Sequence, residues 1–178
     1  MTLTVPSTGQ WAGSHLSIDN LTGGWMAHTR GASTANAWGT ANRAIYMPIR
    51  VPRRVIVREL GYASSTTGAG NIDIGLYDQS GTRLISTGST AKSATAALEA
   101  IDVTDTTIGP GLYYIGLNNS TTTDTFISVS TGTEQAAIQG VLIQAVGAVT
   151  LPATATWSID HALEFIPIVS ALLVTEVS

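Results

Sequence analysis

Three histidines are the first residues to consider for catalysis or metal binding: His15, His28 and His161. They are widely spaced, and no H-x-x-x-H or H-E-x-x-H arrangement brings two of them together on a helix. Asp160 precedes His161, but adjacent residues of a strand point to opposite faces, so the two do not naturally pair. No serine lies in a G-x-S-x-G elbow. The pattern favours ordinary hydrogen-bonded or surface histidines and predicts a protein that is not an enzyme.

The carboxylates offer one short segment suited to calcium, in which Asp102 and Asp105 lie beside two threonines. The order D-V-T-D-T-T lacks the D-x-[DN]-x-[DN]-G pattern of a calcium-binding loop. Asp78 begins the turn D-Q-S-G, where capping a hairpin is a better interpretation than binding a metal. The stretch 68–71, G-A-G-N, precedes a strand instead of a helix, so it is not a phosphate-binding loop. We therefore predict no metal site and no cofactor.

The positive charges are concentrated, because five of the seven arginines lie within sixteen residues and the chain has one lysine. These five are Arg43, Arg50, Arg53, Arg54 and Arg58. Arginine suits partly desolvated, bidentate pairing with carboxylates, which indicates a docking patch for an acidic partner surface. A solvated strand edge that resists edge-to-edge pairing is an equally good interpretation. Nucleic acid is a poor candidate, since the net charge is −4 and the pI is about 5.1.

Three of the four tryptophans, Trp11, Trp25 and Trp38, lie in the first 42 residues. They have three possible roles: anchoring a protein interface, filling the core, or stacking on sugar rings. Tryptophan is enriched at the energetic centres of interfaces. Because residues 1–42 show no helical or strand periodicity, we favour an irregular arm lying on a neighbouring subunit.

From residue 43 onward, short apolar runs alternate with turn residues. Strands are predicted over 43–49, 53–62, 71–77, 82–86, 98–103, 112–117, 125–130, 163–166 and 168–174. Residues 133–146 fit either a short helix or a strand. The pattern is typical of an all-β protein, an antiparallel β-sandwich or jelly roll over 43–178 with an extended, irregular N-terminal arm over 1–42.

The inter-sheet core is predicted from period-two alternation, which is clearest over 71–77. There, Ile72, Ile74 and Leu76 should face inward, while Asp73, Gly75 and Tyr77 face outward. The other core candidates are Ile101, Tyr114, Ile115 and Ile127. Since Tyr114 and Ile115 must point to opposite faces, at least one of them is a candidate for an interface.

Composition points to assembly. Charged residues are 11% of the chain and hydrophobic residues 44%, whereas ordinary domains have about 25% charged residues. A weakly charged surface suggests that neighbouring molecules cover much of it. The start lacks the features of a secretory signal, and no apolar stretch reaches the roughly 18 residues of a spanning helix, so we expect a soluble protein without membrane contact.

The segment 51–118 resembles a β-sandwich module of tailed-bacteriophage virion proteins. The likeness rests on VPRRVIVRELGYASSTTGAGNIDIGLYDQSGTRLISTGST and on TIGPGLYYIGLNN, with a G-N-x-x-I-G-x-Y-D strand, a D-x-x-G turn and a P-G-x-Y-Y strand. Similar modules occur in tail-fibre, head-fibre and capsid decoration proteins. The resemblance implies a virion structural protein, made in the host cytoplasm, that binds itself as a homo-oligomer, here expected as a trimer, and binds capsid or tail subunits. The alternative is a receptor-recognising, carbohydrate-binding fibre module with a host glycan as ligand.

Overall fold

The computed structural model describes residues 9–13, 33–130 and 134–174. All strand pairing in these ranges is antiparallel. The elements are β1 Gly9–Gly13, β2 Ser33–Ala37, β3 Arg43–Val51, β4 Val55–Ala63, β5 Asn71–Asp78, β6 Arg83–Ser86, β7 Thr90–Ala91, β8 Leu98–Ile108, β9 Gly111–Asn119, β10 Thr125–Ser130, α1 Gln135–Ile138, β11 Leu142–Ala145, β12 Ser158–Ile159, β13 Phe165–Pro167 and β14 Val169–Val174. The prediction of an all-β antiparallel sandwich is confirmed.

Three sheets pack together. One has the order β1-β14-β4-β8, a second β13-β10-β2, and a seven-stranded sheet has the order β12-β11-β3-β9-β5-β6, with β7 also pairing with β5. The chain crosses between the first and the seven-stranded sheet four times, and two of these crossings run from β3 to β4 and from β8 to β9. The two crossings lie side by side, because Val51 pairs with Gly111 in one sheet and Val55 with Ile108 in the other.

The main core lies between the sheets and is largely aliphatic. Of the predicted core residues, Ile72, Ile74, Leu76 and Ile115 are fully buried, so these assignments are confirmed. Ile101 and Ile127 are half-buried. Tyr114 is also half-buried and packs against a second cluster on the other face of the seven-stranded sheet, formed by Ala44, Tyr46, Tyr77, Leu151 and Ala155.

The prediction that the second face of β5 points outward must be corrected. Asp73 and Tyr77 are both 0% exposed, because residues 146–157 fold over that side of the sheet and bring Leu151 and Ala155 against it. The Asp73 carboxylate accepts a hydrogen bond from the Leu151 amide at 2.8 Å. Alternation correctly separated the two faces of the strand, but both faces are covered.

Two strands lie inside the segment that was expected to be an irregular arm. β1 pairs with β14 along its whole length, and β2 pairs with β10. The sandwich therefore includes residues before Arg43. For residues 133–146, the sequence fits either a short helix or a strand. The structure contains both, since helix α1 is followed by β11. In the described ranges, no helix is long and apolar enough to span a membrane.

Candidate interaction surface

Three exposed arginines cluster where β3 passes into β4. Arg50 is near the end of β3, and Arg53 and Arg54 lie in the crossing before β4. Pro52 has no amide hydrogen to donate to a strand partner, which favours an end to β3 at this point. We call Arg50, Arg53 and Arg54 the arginine corner.

The backbone of the arginine corner is anchored on both sides. Val51 and Val55, which flank the crossing, are each 1% exposed. The neighbouring crossing from β8 to β9 is also tied down, because the Tyr113 hydroxyl donates to the Gly109 carbonyl at 3.0 Å. Exposed charged side chains thus project from a rigid end of the sandwich, which is a favourable arrangement for recognition.

The other two arginines of the predicted patch lie elsewhere, so the five do not form one surface. Arg43 begins β3 and lies seven positions before Arg50, which is about 23 Å along a strand. Arg58 lies at a bulge in β4, where its Nε is 3.2 Å from Asp105 Oδ2, with both side chains about half exposed. Exposed pairs of this kind contribute roughly 0.2–1 kcal/mol. Asp105, considered above for calcium, is thus paired with an arginine.

Of the three tryptophans expected at an interface, Trp38 fills the core. It is 0% exposed, its ring centroid is 4.9 Å from that of Phe126, and its indole N–H donates to the Arg43 carbonyl at 3.1 Å. The core-filling alternative therefore describes this residue. Trp11 lies on β1 opposite Leu172, and Trp25 lies outside the described residues.

Arg43 lines a cleft of about 430 Å³ at the end of the three-stranded sheet. Its guanidinium Nη1 is 3.5 Å from Asp160 Oδ2, and both side chains are largely buried. Asn36, Ser130, Glu164 and the apolar Phe165 are also part of the lining. The cleft therefore combines hydrogen-bond donors and acceptors with one apolar wall.

The histidines and acidic residues form no metal-binding group in the part of the chain that the structure describes. His161 Nδ1 is 2.7 Å from Glu134 Oε2 on the surface, while Asp160 faces Arg43, so the two neighbours do not pair. His15 and His28 lie outside the described residues. Asp78 caps its hairpin as predicted, since its Oδ1 accepts from the Ser80 amide at 2.9 Å, and the Ser80 hydroxyl helps lower its pKa.

Lys92, the only lysine, has a structural position that the sequence did not indicate. It is 6% exposed, and its ammonium donates to Ser64 Oγ at 2.9 Å, the Thr67 carbonyl at 2.9 Å and the Ser93 carbonyl at 2.7 Å. Burial lowers the pKa of Lys92. An amine enclosed by carbonyl oxygens links two loops and is not accessible as a nucleophile. The only feature of the sequence that could have singled out Lys92 is that it is a single lysine in a chain whose other long basic side chains are arginines.

The buried carboxylates are also used to hold the backbone. Asp124 is 0% exposed and accepts from the Ala69 amide at 2.7 Å and from the Gly70 amide at 3.2 Å. Asp73 binds the Leu151 amide, and burial raises its pKa. Both carboxylates accept hydrogen bonds from backbone amides of loop residues. This structural role needs no contact with a substrate.

Comparison with known proteins gives no assignment: no family model, no curated protein and no solved structure matches this chain. The likeness of 51–118 to phage virion modules therefore stays a prediction.

Proposed function

We propose that this chain is a non-enzymatic structural protein of a virion, a capsid decoration, neck or tail component that acts by protein–protein assembly. The arginine corner is the observation that carries the proposal. Three guanidinium groups are exposed together at a rigid end of the sandwich, in a chain with a net charge of −4. Guanidinium groups bind carboxylates in bidentate geometry, so the partner surface is acidic. The resemblance of 51–118 suggests the virion setting.

The described charged side chains support a structural role over a catalytic one. Lys92, Asp73 and Asp124 are buried and hydrogen-bonded to backbone groups, and Arg58 is paired with Asp105. Catalytic groups require access to a substrate and a partner that tunes their reactivity. The absence of enzymatic activity stays a prediction.

Particle incorporation tests this proposal. The chain and its variants are supplied in trans to cells that produce the particles, and copies per gradient-purified particle are counted by quantitative mass spectrometry. We expect stoichiometric incorporation of the wild type and a loss of more than about tenfold for Arg53→Glu/Arg54→Glu, because like charges then face an acidic partner. Arg58→Glu is the control, since it changes a similarly exposed charge outside the corner. A wild-type chain that is missing from purified particles contradicts the proposal.

A carbohydrate-binding fibre module is the second candidate, and the cleft around Arg43 favours it. Sugars offer hydroxyl groups that donate and accept, which suits Asn36, Ser130 and Glu164, and they have apolar faces that suit Phe165. Saturation-transfer NMR of the isolated protein with neutral hexoses and N-acetylhexosamines tests it. Binding that is lost in Ser130→Ala and Asn36→Ala supports this candidate, whereas no transfer from any sugar eliminates it.

A further inference from the structure

We propose that the exposed edge of β8 binds an extended, basic segment of another protein, which adds to the four-stranded sheet as a further antiparallel strand. The docking segment is residues 98–102, which we call the β8 edge. It begins at the end of β8 that pairs with Ala63, whereas the arginine corner lies beyond the other end, where Ile108 pairs with Val55. The inference therefore goes beyond the proposed function and describes a second binding site, of opposite charge.

β8 differs from the other edge strands in length. It is the last strand of the four-stranded sheet and has 11 residues, whereas the other edge strands have two to five residues in the described ranges. Proteins commonly protect a sheet edge by keeping it short or by placing lysine or proline in it. β8 contains neither residue, so its edge is open to pairing with another strand.

The backbone of the β8 edge directs hydrogen-bonding groups away from the protein. The Ser64 amide donates to the Ala97 carbonyl at 2.8 Å. Since hydrogen-bonded and non-hydrogen-bonded pairs alternate along an antiparallel ladder, the next pair, Ala63 with Leu98, is not hydrogen-bonded. The Ala63 amide accordingly donates to the other side, to the Ile168 carbonyl at 2.9 Å. The amide and carbonyl of Leu98 therefore face away from β4.

The same orientation recurs at Ala100 and Asp102, because the register with β4 is unbroken from Leu98 to Asp102 and shifts only beyond it. In the described ranges, the outward amides and carbonyls of these residues have no hydrogen-bond partner. Strand β6 lies close to β8, but there it makes no backbone hydrogen bond to the β8 edge. The β8 edge thus offers the alternating donors and acceptors that an added strand requires.

An uncompensated negative charge lies beside these backbone groups. Asp102 is exposed and is paired directly with Glu59 of β4. A non-hydrogen-bonded pair brings its two side chains close together on one face of the sheet, and like charges in this position are destabilising. Among the described residues, neither carboxylate forms an ion pair, whereas the nearby Asp105 is bound by Arg58. A cation on an added strand would relieve this repulsion.

Charge identifies the occupant as a basic segment of another protein. The residue opposite Asp102 on an added strand lies on the same face as the two carboxylates, so lysine or arginine there contacts them. A second copy has no suitable strand in the described ranges. β8 itself has no basic residue, and among the edge strands only β6 has one, Arg83, which is already bonded to the Leu151 carbonyl.

The side chains of the β8 edge define a pattern for the partner. Leu98, Ala100 and Asp102 are exposed on one face, while Glu99 and Ile101 are half-buried on the other. From its N-terminus, an antiparallel partner therefore has a basic residue opposite Asp102, an apolar residue opposite Ile101 and a second basic residue opposite Glu99. In strand addition, main-chain hydrogen bonds provide the affinity and alternate side chains the specificity.

NMR titration of the isotope-labelled full chain tests the inference, with the synthetic peptide acetyl-TRVTKVT-amide as the probe. Its arginine, first valine and lysine are placed to face Asp102, Ile101 and Glu99. We expect chemical-shift changes centred on the β8 edge and slower hydrogen exchange of its outward amides, because these amides gain acceptors on the peptide.

N-methylation of the peptide separates strand addition from charge attraction alone. Methylation of the fourth residue, which faces Ala100, should raise the dissociation constant more than about tenfold, because it removes a main-chain donor and obstructs the pairing. Methylation of the third residue is the matched control. It should leave the dissociation constant unchanged, because that amide points away from β8.

Charge reversal gives a second readout. Asp102→Lys should raise the dissociation constant of the peptide more than about tenfold. Asp105→Lys, the same charge change outside the β8 edge, should have a much smaller effect. The peptide acetyl-TEVTKVT-amide should show the reverse preference and bind Asp102→Lys more tightly than the wild type.

The absence of shifts at the β8 edge with millimolar peptide, or equal losses from the two N-methylated peptides, overturns the inference. Wild-type dimers whose outward amides are protected without peptide would assign the edge to a second copy, and this too overturns it. Arg53→Glu/Arg54→Glu should bind the peptide like the wild type. Failure to bind the peptide therefore leaves particle incorporation, and with it the proposed function, unaffected.

Discussion

The two faces of the seven-stranded sheet are buried by different means. The inner face is aliphatic and is closed by the other two sheets. Its fully buried side chains, each 0% exposed, are Ile45, Met47, Ile72, Ile74, Leu76, Ile115 and Leu117. The outer face is aromatic and polar and is closed by the segment 146–157. The inner face is therefore stabilised mainly by apolar area, which does not depend on particular partners.

The outer face depends on matched polar contacts between side chains and the backbone of the covering segment. Tyr77 donates its hydroxyl to the Pro152 carbonyl at 2.7 Å. Asn118 donates to the Ala148 and Val149 carbonyls, each at 2.8 Å. Arg83 donates to the Leu151 carbonyl. A segment without regular structure has unpaired backbone groups, and these side chains satisfy them. The inner face thus needs only apolar contact, whereas the outer face needs particular hydrogen-bond partners. Mutation can test this difference.

The largest effect is expected at the inner face. Ile74→Ala removes a fully buried side chain and should lower the free energy of unfolding by about 2–5 kcal/mol, through lost transfer energy and the remaining cavity. Urea denaturation of the isolated protein measures it. A loss below about 0.5 kcal/mol would mean that Ile74 is not packed between sheets.

The sequence predicts the inner face well because strand alternation is a local property. Ile72, Ile74 and Leu76 alternate within seven residues, and this pattern alone places them on one side. The cover of the outer face is not local, since Asp73 and its partner Leu151 are 78 residues apart. No periodicity links these two segments, so Asp73 and Tyr77 were expected in solvent.

For the candidate site too, the sequence predicts local features but not long-range contacts. The exposure of the arginine corner follows from charge and from Pro52, both visible in the sequence. The separation of Arg43 from this corner depends on β3 running unbroken from Arg43 to Val51, two residues beyond the predicted end of the strand at residue 49. The core position of Trp38 depends on distant Phe126 and Phe165, which sequence spacing does not bring together.

A smaller effect is expected in the pH dependence of the unfolding free energy, through a tyrosine on the outer face. Burial raises the pKa of Tyr46 on the outer face from 10.0 to about 12. Between these values the unfolded chain loses the proton while the folded chain keeps it, so the unfolded state binds fewer protons and stability falls as pH rises. The wild type should lose up to about 1.4 kcal/mol per pH unit relative to Tyr46→Phe in this window. Parallel curves from chemical denaturation at each pH would contradict this expectation.

The smallest effect concerns single hydroxyl groups on the outer face, where two tyrosines provide a matched pair. The Tyr77 hydroxyl is bonded to the Pro152 carbonyl, whereas that of Tyr114 has no partner in the described ranges. Tyr77→Phe should therefore cost about 0.5–1.5 kcal/mol of unfolding free energy, because the carbonyl loses its donor. Tyr114→Phe should leave the stability of the monomer unchanged.

The comparison of these two variants isolates polar matching from packing, since each removes one oxygen and keeps the ring. Denaturation at low protein concentration, where monomers predominate, gives the monomer values. Equal losses in both variants would show that the segment 146–157 is held on the outer face by ring packing alone. A loss only in Tyr77→Phe would show that the Tyr77 hydroxyl fixes the backbone of this segment at the Pro152 carbonyl.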